Sequence, residues 1–419
     1  MLDIKFIRDN KDLVVKNNRS RGVKVDIDKL LRLDEKMKKN LQELERRRAE
    51  HNKNSKIKID DKQKRLQMRK FVESIRHLKE IIVKQTAEID EILYQIPGLN
   101  SPTTPIGKSE EDNQIVKTVG QPTEFNFKPK DYMELAELHD LIDTKRAAKV
   151  SGSRFGFLKN QAVEIQFALV NYTLDLLKKE GFIPFITPAL VKKEIMEKTG
   201  YDTYTRGQDA YFLEKDNLYL VGTGEHALIA YHADEILRNK DLPLRYTTYS
   251  SCFRREAGSY GKDTKGILRV HQFDKLEMIS LTTPDKSKEE FTFLLSLQEK
   301  LVFGLGLPYR LLEVCTGDLP KPSSKVIDLE CWLPSENKYR ETHSVSNCTD
   351  YQARDLNIKF KNQKNNNEYV HILNGTAFAI GRILLVILEN YQQADGSIDI
   401  PKVLVDYMPS KIKKISVKK

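Results

Sequence analysis

At 419 residues the chain is long enough for two or three domains with a sizeable core. Its 70 Lys and Arg against 60 Asp and Glu give a formal net charge of +10, a mild tilt toward a polyanionic partner such as nucleic acid. Cys252, Cys315, Cys331 and Cys348 stand far apart with no Cys-x-x-Cys pair, so neither a disulfide framework nor a four-cysteine zinc site is indicated, and no run approaches the ~20 apolar residues of a membrane-spanning helix. Reduced thiols in a cytoplasmic protein are the expectation, and the N-terminal MLDIKFIRDNKDLV has neither a secretory nor a transit composition.

Leu30, Met37, Leu41 and Leu44 mark an apolar seam on a first long helix. Met68, Phe71, Ile75, Leu78, Ile82, Ile89 and Ile92 mark a second at three-then-four spacing, interrupted by Gln85. Joined near 54–61, the two predict an antiparallel hairpin with arms ~45 Å long at ~1.5 Å per residue. Around its tip Arg46, Arg47, Arg48, Lys53, Lys56, Lys58, Lys62, Lys64 and Arg65 outnumber the acids. That charge reads either as a solvated surface or as a phosphate-binding arm.

The heptads stop at Ile96 in PGLNSPTTPIG, which predicts an N-terminal domain over 1–95, a linker over 96–110 and a second domain over 111–419. Helices are expected over Tyr132–Lys149 and Gln161–Lys179, then a strand over Phe182–Ile186 ending before Pro188. In LYLVGTGEH, Gly222 and Gly224 allow close backbone approach. Thr223 and Glu225 suit a hydroxyl or an ammonium group, although a helix cap explains the same residues.

From Cys252 to Met278 two strand-like pieces flank a loop with Gly258, Gly261 and Gly266. Arg254 and Glu256 are expected on one strand face; Arg269, His271, Phe273, Lys275 and Glu277 alternate with Leu268, Val270, Leu276 and Met278 on the other strand. The pair reads as a hairpin that holds an anion and something flat. Two further strands are expected over VIDLECW and YRETHSVSN; Glu341 and Ser344 there are either solvated or suited to magnesium. A small-residue turn at Leu373 then leads into an apolar helix with Arg382 in its middle, which needs a Glu or a triphosphate as partner. The Lys-rich tail 411–419 is expected to fray.

The ordered set of a helix and strand before Pro188, FRRE with VHQFDKLEM, and NGTAFAIGR resembles the three motifs of class II aminoacyl-tRNA synthetases. With the arm, AKVSGSRF, VGTGEH, CTGDL, ENYQ and DGSI, nearly the whole chain is similar to the seryl-tRNA synthetase family. The resemblance implies an α+β fold, an antiparallel sheet flanked by helices, and a homodimer with Pro188 and its helix at the interface. It implies activation of L-serine with ATP and magnesium, and transfer of the seryl group to tRNA(Ser), with tRNA(Sec) left open. Membrane and DNA partners are not expected.

Residue by residue, the resemblance puts Arg254, with Arg255 beside it, on ATP, Arg254 meeting the α-phosphate. Glu256, Phe273, the Val270 backbone and Arg382 fall on the nucleotide; Arg254 and Arg382 are the catalytic candidates. Thr223, Gly224, Glu225, Glu277 and Thr376 fall on serine, Glu341 and Ser344 on ATP and magnesium. Arg46, Arg47, Lys53 and Lys56 fall on tRNA; Lys262 and Lys265 in the Gly-rich loop read from their charge either as further phosphate ligands or as contacts of the tRNA acceptor end. Gly224, His343 and Val345 depart from the residues common in the family. An RNA-binding paralogue without catalysis and an amino acid ligase for carrier proteins are the alternatives. The first is disfavoured by Arg254, Glu256, Glu277, Glu341 and Arg382, the second by the arm.

Overall fold

The computed structural model describes residues 1–54, 62–200, 209–256 and 266–417, with the side chains of 54 and 62–65 excepted. The chain divides into two units, Met1–Pro97 and Gly98–Lys419.

In the first unit the Asp3 carboxylate accepts from Lys5 N and Phe6 N and so caps α1 (Ile4–Asp9), which leads into α2 (Lys11–Ser20). The long antiparallel pair α3 (Ile27–Asn54) and α4 (Lys62–Gln95) follows. Leu30, Leu44, Leu78 and Ile89 of the seams are buried, whereas Leu41 is exposed. Gln85 is buried as well, and its Oε1 accepts from Asn40 Nδ2 at 2.8 Å. The break in the apolar pattern is therefore a satisfied polar pair between the helices, the kind that fixes register.

The second unit is built on an eight-stranded sheet. Its strands are β1 (Gln114–Val119), β2 (Ile183–Ile186), β3 (Leu244–Phe253), β4 (Gln272–Thr282), β5 (Tyr309–Glu313), β6 (Lys325–Leu333), β7 (Lys338–Asn347) and β8 (His371–Ala379). They lie in the order β1-β5-β6-β7-β8-β4-β3-β2, antiparallel except for β2 with β3. Alternation along β4 sends Leu276 and Met278 into the main core, with apolar residues of α7 (Gln161–Lys179), α8 (Ser287–Gly304) and α9 (Ile380–Asn390). Ile279 and Leu281 point to the other face and pack with Leu228, Ile358 and Phe360. Lys275 and Glu277 share that second face by the same alternation, so it changes along β4 from apolar to charged.

Four expectations need correction. The helix over Tyr132–Lys149 is two helices, α5 (Tyr132–His139) and α6 (Thr144–Ser151). Asp140 turns left-handed at φ 54°, and the Asp143 carboxylate caps the restart through Arg146 N. Arg254 and Glu256 do not share a strand face: β3 ends at Phe253 and Glu256 has φ 54°, and across from them β4 begins only at Gln272, so Leu268, Arg269, Val270 and His271 lie in the bend before it and not on the strand. The small-residue turn at Leu373 is strand β8, buried between β7 and β4, which puts Arg382 in the first turn of α9 and not in its middle. The tail does not fray at once, because Lys414–Ile415 pairs with Ile398–Asp399 and Ile415 is buried. Gly98 N and Ser101 N donate to Lys321 O and Ser324 O, so this proline-rich stretch runs hydrogen-bonded along the 321–324 segment.

Candidate active site

Where the second face of β4 turns polar, a cavity of about 350 Å³ opens. Arg254 enters it just past the end of β3, fixed by its N–H to His271 O at 2.9 Å and by Nε to Gly222 O at 3.2 Å. Its guanidinium carbon lies 5.3 Å from the centre of the Phe273 ring, within cation–π range. Glu256, turned inward by its left-handed backbone, accepts from Arg269 Nη1 at 2.8 Å. Across the cavity Arg382 Nη1 donates to Glu341 O at 3.0 Å and sits 3.1 Å from Glu341 Oε1. Of the partners expected for Arg382, the structure supplies the carboxylate. A second, more polar cavity of about 830 Å³ shares Arg269, Glu341 and Arg382, so the Glu341–Arg382 pair stands where the two meet.

The structure brings Arg254, Glu256, Val270, Phe273, Glu341, Ser344, Thr376 and Arg382 onto the wall of the first cavity. It does not bring Arg255 there. That residue's N–H donates to Asp209 O, its Nε to Ala210 O at 3.1 Å, and its guanidinium covers Tyr211 at 4.6 Å. Arg254 and Arg255, one residue apart, point to opposite sides.

Thr223, Glu225 and Glu277 form a layer behind the wall. Thr223 Oγ1 donates to Glu277 Oε1 at 2.7 Å, Lys275 Nζ pairs with the same oxygen, and Asn374 Nδ2 donates to Glu225 Oε1 at 2.7 Å. Thr223 and Glu277 are buried, and Lys275 links the layer to the cavity, whose wall it shares with Thr376. Burial, aided by the charge of Glu277, pushes the Glu225 carboxyl up to about 7. Gly224 is closely packed: a Cβ would lie 2.6 Å from Ser250 Oγ and 2.8 Å from Thr248 Cγ2, so a larger residue there needs those side chains to shift.

A third group is made of oxygens. Asp328 on β6 faces Ser344 on β7, and burial with the charge of Glu341 holds the Asp328 carboxyl well above the ordinary range, against a hydrogen bond from Ser344. Desolvation acts upward on Glu341 too, although its side chain is half exposed, and the charge and hydrogen bond of Arg382 outweigh it and hold that carboxyl low. Among the described residues no group of three or more His, Cys, Asp and Glu forms a cage. His343 and Val345 pack in the core, His343 against Phe378, and burial lowers the imidazole to about 3. Neither departure reaches the cavity wall.

On the arm, Arg46 and Arg47 both pair with Glu43, at 2.7 and 2.6 Å, and Lys53 is exposed. Lys56, Lys262 and Lys265 lie outside the described residues. Sequence reasoning missed Asn374 and Asp328 and gave Lys275 no role. The signal for Lys275 was its spacing, two residues before Glu277 and two after Phe273 on one strand face.

A family model described as "Seryl-tRNA synthetase N-terminal domain" matches residues 1–100, and one described as "tRNA synthetase class II core domain (G, H, P, S and T)" matches 211–391. The chain is 44% identical over 420 residues to a serine--tRNA ligase of Dictyoglomus turgidum, covering 97% of this chain and 98% of that protein. It is 42% identical to one of Treponema denticola, with the same coverage. Among solved structures it is similar to seryl-tRNA synthetase from Pyrococcus horikoshii complexed with ATP, at TM-score 0.90 and 38% identity over 100% of both chains. A Naegleria fowleri serine-tRNA ligase in complex with AMP follows at TM-score 0.87 and 33% identity, covering 100% of this chain and 99% of that one.

Proposed function

The chain belongs to the seryl-tRNA synthetases, class II ligases that join serine to tRNA, and from that premise we propose how its cavity and arm divide the work. ATP lies in the first cavity with its adenine on Phe273, held by Glu256 and the Val270 backbone, and its α-phosphate at Arg254. The observation that carries this reading is the Arg254 guanidinium over Phe273, which sets a fixed cation beside a flat apolar surface. The base also lies against Arg382, and the rest of the triphosphate runs toward the larger cavity.

Serine lies at Thr376, where the first cavity meets the layer behind, its hydroxyl toward Glu277 and Thr223 and its ammonium toward Glu225. Its carboxylate attacks the α-phosphorus and pyrophosphate leaves; a terminal ribose hydroxyl of tRNA then attacks the seryl-adenylate. Neither step needs a protein nucleophile, so positioning and fixed charge carry the catalysis. The residues fit magnesium. Asp328, Glu341 and Ser344 offer hard oxygen donors, and Asp328 already stands in a field short of positive charge. Glu341 and Ser344 would hold the ion, which when bound neutralises phosphate charge; the remaining positions suit phosphate oxygens and water.

The test is ATP–pyrophosphate exchange with serine followed by charging of serine tRNA. Absence of serine-dependent exchange would overturn the reading. The pH dependence is a sharper check. The Glu225 carboxyl keeps its proton below about 7, whereas an ammonium partner needs the carboxylate. Serine affinity therefore nears its full value about one unit above pH 7, is about halved at pH 7, and falls below it toward a limit of about tenfold per unit. Serine KM measured from pH 6 to 8 should show this slope, and Glu225→Gln should flatten it.

The arm is proposed to grip the tRNA backbone. Neutralising Arg46, Arg47, Lys53 and Lys56 together should raise the KM for tRNA about tenfold or more and leave adenylate formation unchanged. Equal loss of both activities would point to a folding defect. A homodimer is supported by the exposed apolar residues Val163 and Phe167 on α7 and Ile183 and Ile186 on the edge strand β2, the last 91% exposed. Sedimentation should give twice the 48.5 kDa of the chain, and a stable monomer would remove the dimer.

A further inference from the structure

Strands β7 and β8 are hydrogen-bonded neighbours over Val345↔Gly375, Ser346↔Asn374 and Asn347↔Leu373. One step further the ladder would set Ser344 opposite Thr376, but the pairing stops there and both residues line the cavity instead. The site is thus a parting of two neighbouring strands. A parting leaves backbone carbonyls without ladder partners, and buried carbonyls need donors.

Gln298 supplies them. It sits on α8, is fully buried, and its Nε2 donates to Ser344 O and to Thr376 O, each at 2.8 Å. Both acceptors are carbonyls, so the amide nitrogen must face them, and its two hydrogens match the two bonds. The neighbouring position is shaped to admit it: a Cβ on Gly375 would stand 3.2 Å from Nε2 and 3.3 Å from Val345 Cγ2.

We infer that Gln298 is a positioning residue that sets the gap between the two parted strands, and with it the spacing between the ATP side and the serine side of the site. It touches neither substrate. It holds the backbone of Ser344, next to Glu341 on the ATP side, and of Thr376 on the serine side, with one planar amide. The inference rests on the assignment of those two sides given above.

Gln298→Leu and Gln298→Met keep the volume and remove both donors. Exchange by each, normalised to titrated active sites, should show higher KM for ATP and for serine together and kcat/KM lower by about 10- to 100-fold, the scale of a reactant displaced by about 1 Å. Half-maximal exchange should also require more magnesium. Unchanged KM values with only fewer titratable sites would make Gln298 a packing residue and overturn the inference. If neither variant folds, Gly375→Ala decides. It leaves Gln298 in place and crowds its amide, so it should raise both KM values, and normal values would again overturn the inference. Wild-type enzyme measured alongside separates the two readings, because a wild type without serine-dependent exchange defeats the site assignment and not the inference alone.

Discussion

Arg254→Ala should lower kcat/KM for serine-dependent pyrophosphate exchange by about 10³-fold, the scale of removing a preorganised charged donor from a transition state. The guanidinium is held at one edge by the Gly222 carbonyl and lies over Phe273, so its positive charge is fixed beside the proposed α-phosphate. Arg254→Lys keeps the charge but not the fork or the ring contact, and should recover only part of the rate. Rates of Arg254→Ala within fivefold of wild type would remove this residue from the phosphate site.

Glu277→Ala should abolish measurable exchange with serine. It removes the acceptor of the Thr223 hydroxyl and the partner of Lys275 at once, in a place where both carboxylate and ammonium are mostly out of solvent. Breaking such a pair from one side also destabilises the fold by about 3 kcal/mol, so thermal unfolding must be recorded beside activity. Glu277→Gln separates the two effects. It keeps shape and one acceptor, and should retain the fold while narrowing the preference for serine over alanine, because the carboxylate no longer sets a penalty on a substrate without a hydroxyl. Near-normal exchange in Glu277→Ala would take this residue out of the serine pocket.

The parts of this chain that announce themselves in sequence are those governed by a single period. The seams of α3 and α4, the limits of α7 and the shared face of Phe273, Lys275 and Glu277 follow from 3.6- and 2-residue repeats. What escapes is what a single residue's backbone decides. Asp140 and Glu256 each adopt φ 54° without being glycine, one ending a helix and the other lifting a side chain out of strand geometry. Strand β8 was hidden by its small residues, since NGTAFA reads as a turn until β7 and β4 lie on either side of it. Asn374 was lost with it. Gln298 carries no local signal at all, because its partners are 46 and 78 residues away and its role exists only once the two strands part.

The polar pair inside the arm makes the hairpin a measuring rod. Sliding α4 by one heptad along α3 would displace it by about 10 Å and set Leu78 or Ile92 opposite Asn40 in place of Gln85. Slid one way, Asn40 would face Leu78 and Gln85 would face Leu33; slid the other way, Asn40 would face Ile92 and Gln85 would face Arg47, so at least one amide loses its partner to hydrocarbon, with a penalty of about 1–3 kcal/mol for each unmet group. An all-leucine seam would tolerate that slip; this one does not. The distance from the base of the arm to its basic end is therefore a calibrated quantity, and an insertion of seven residues in either helix would have to be matched in the other to keep the amides together.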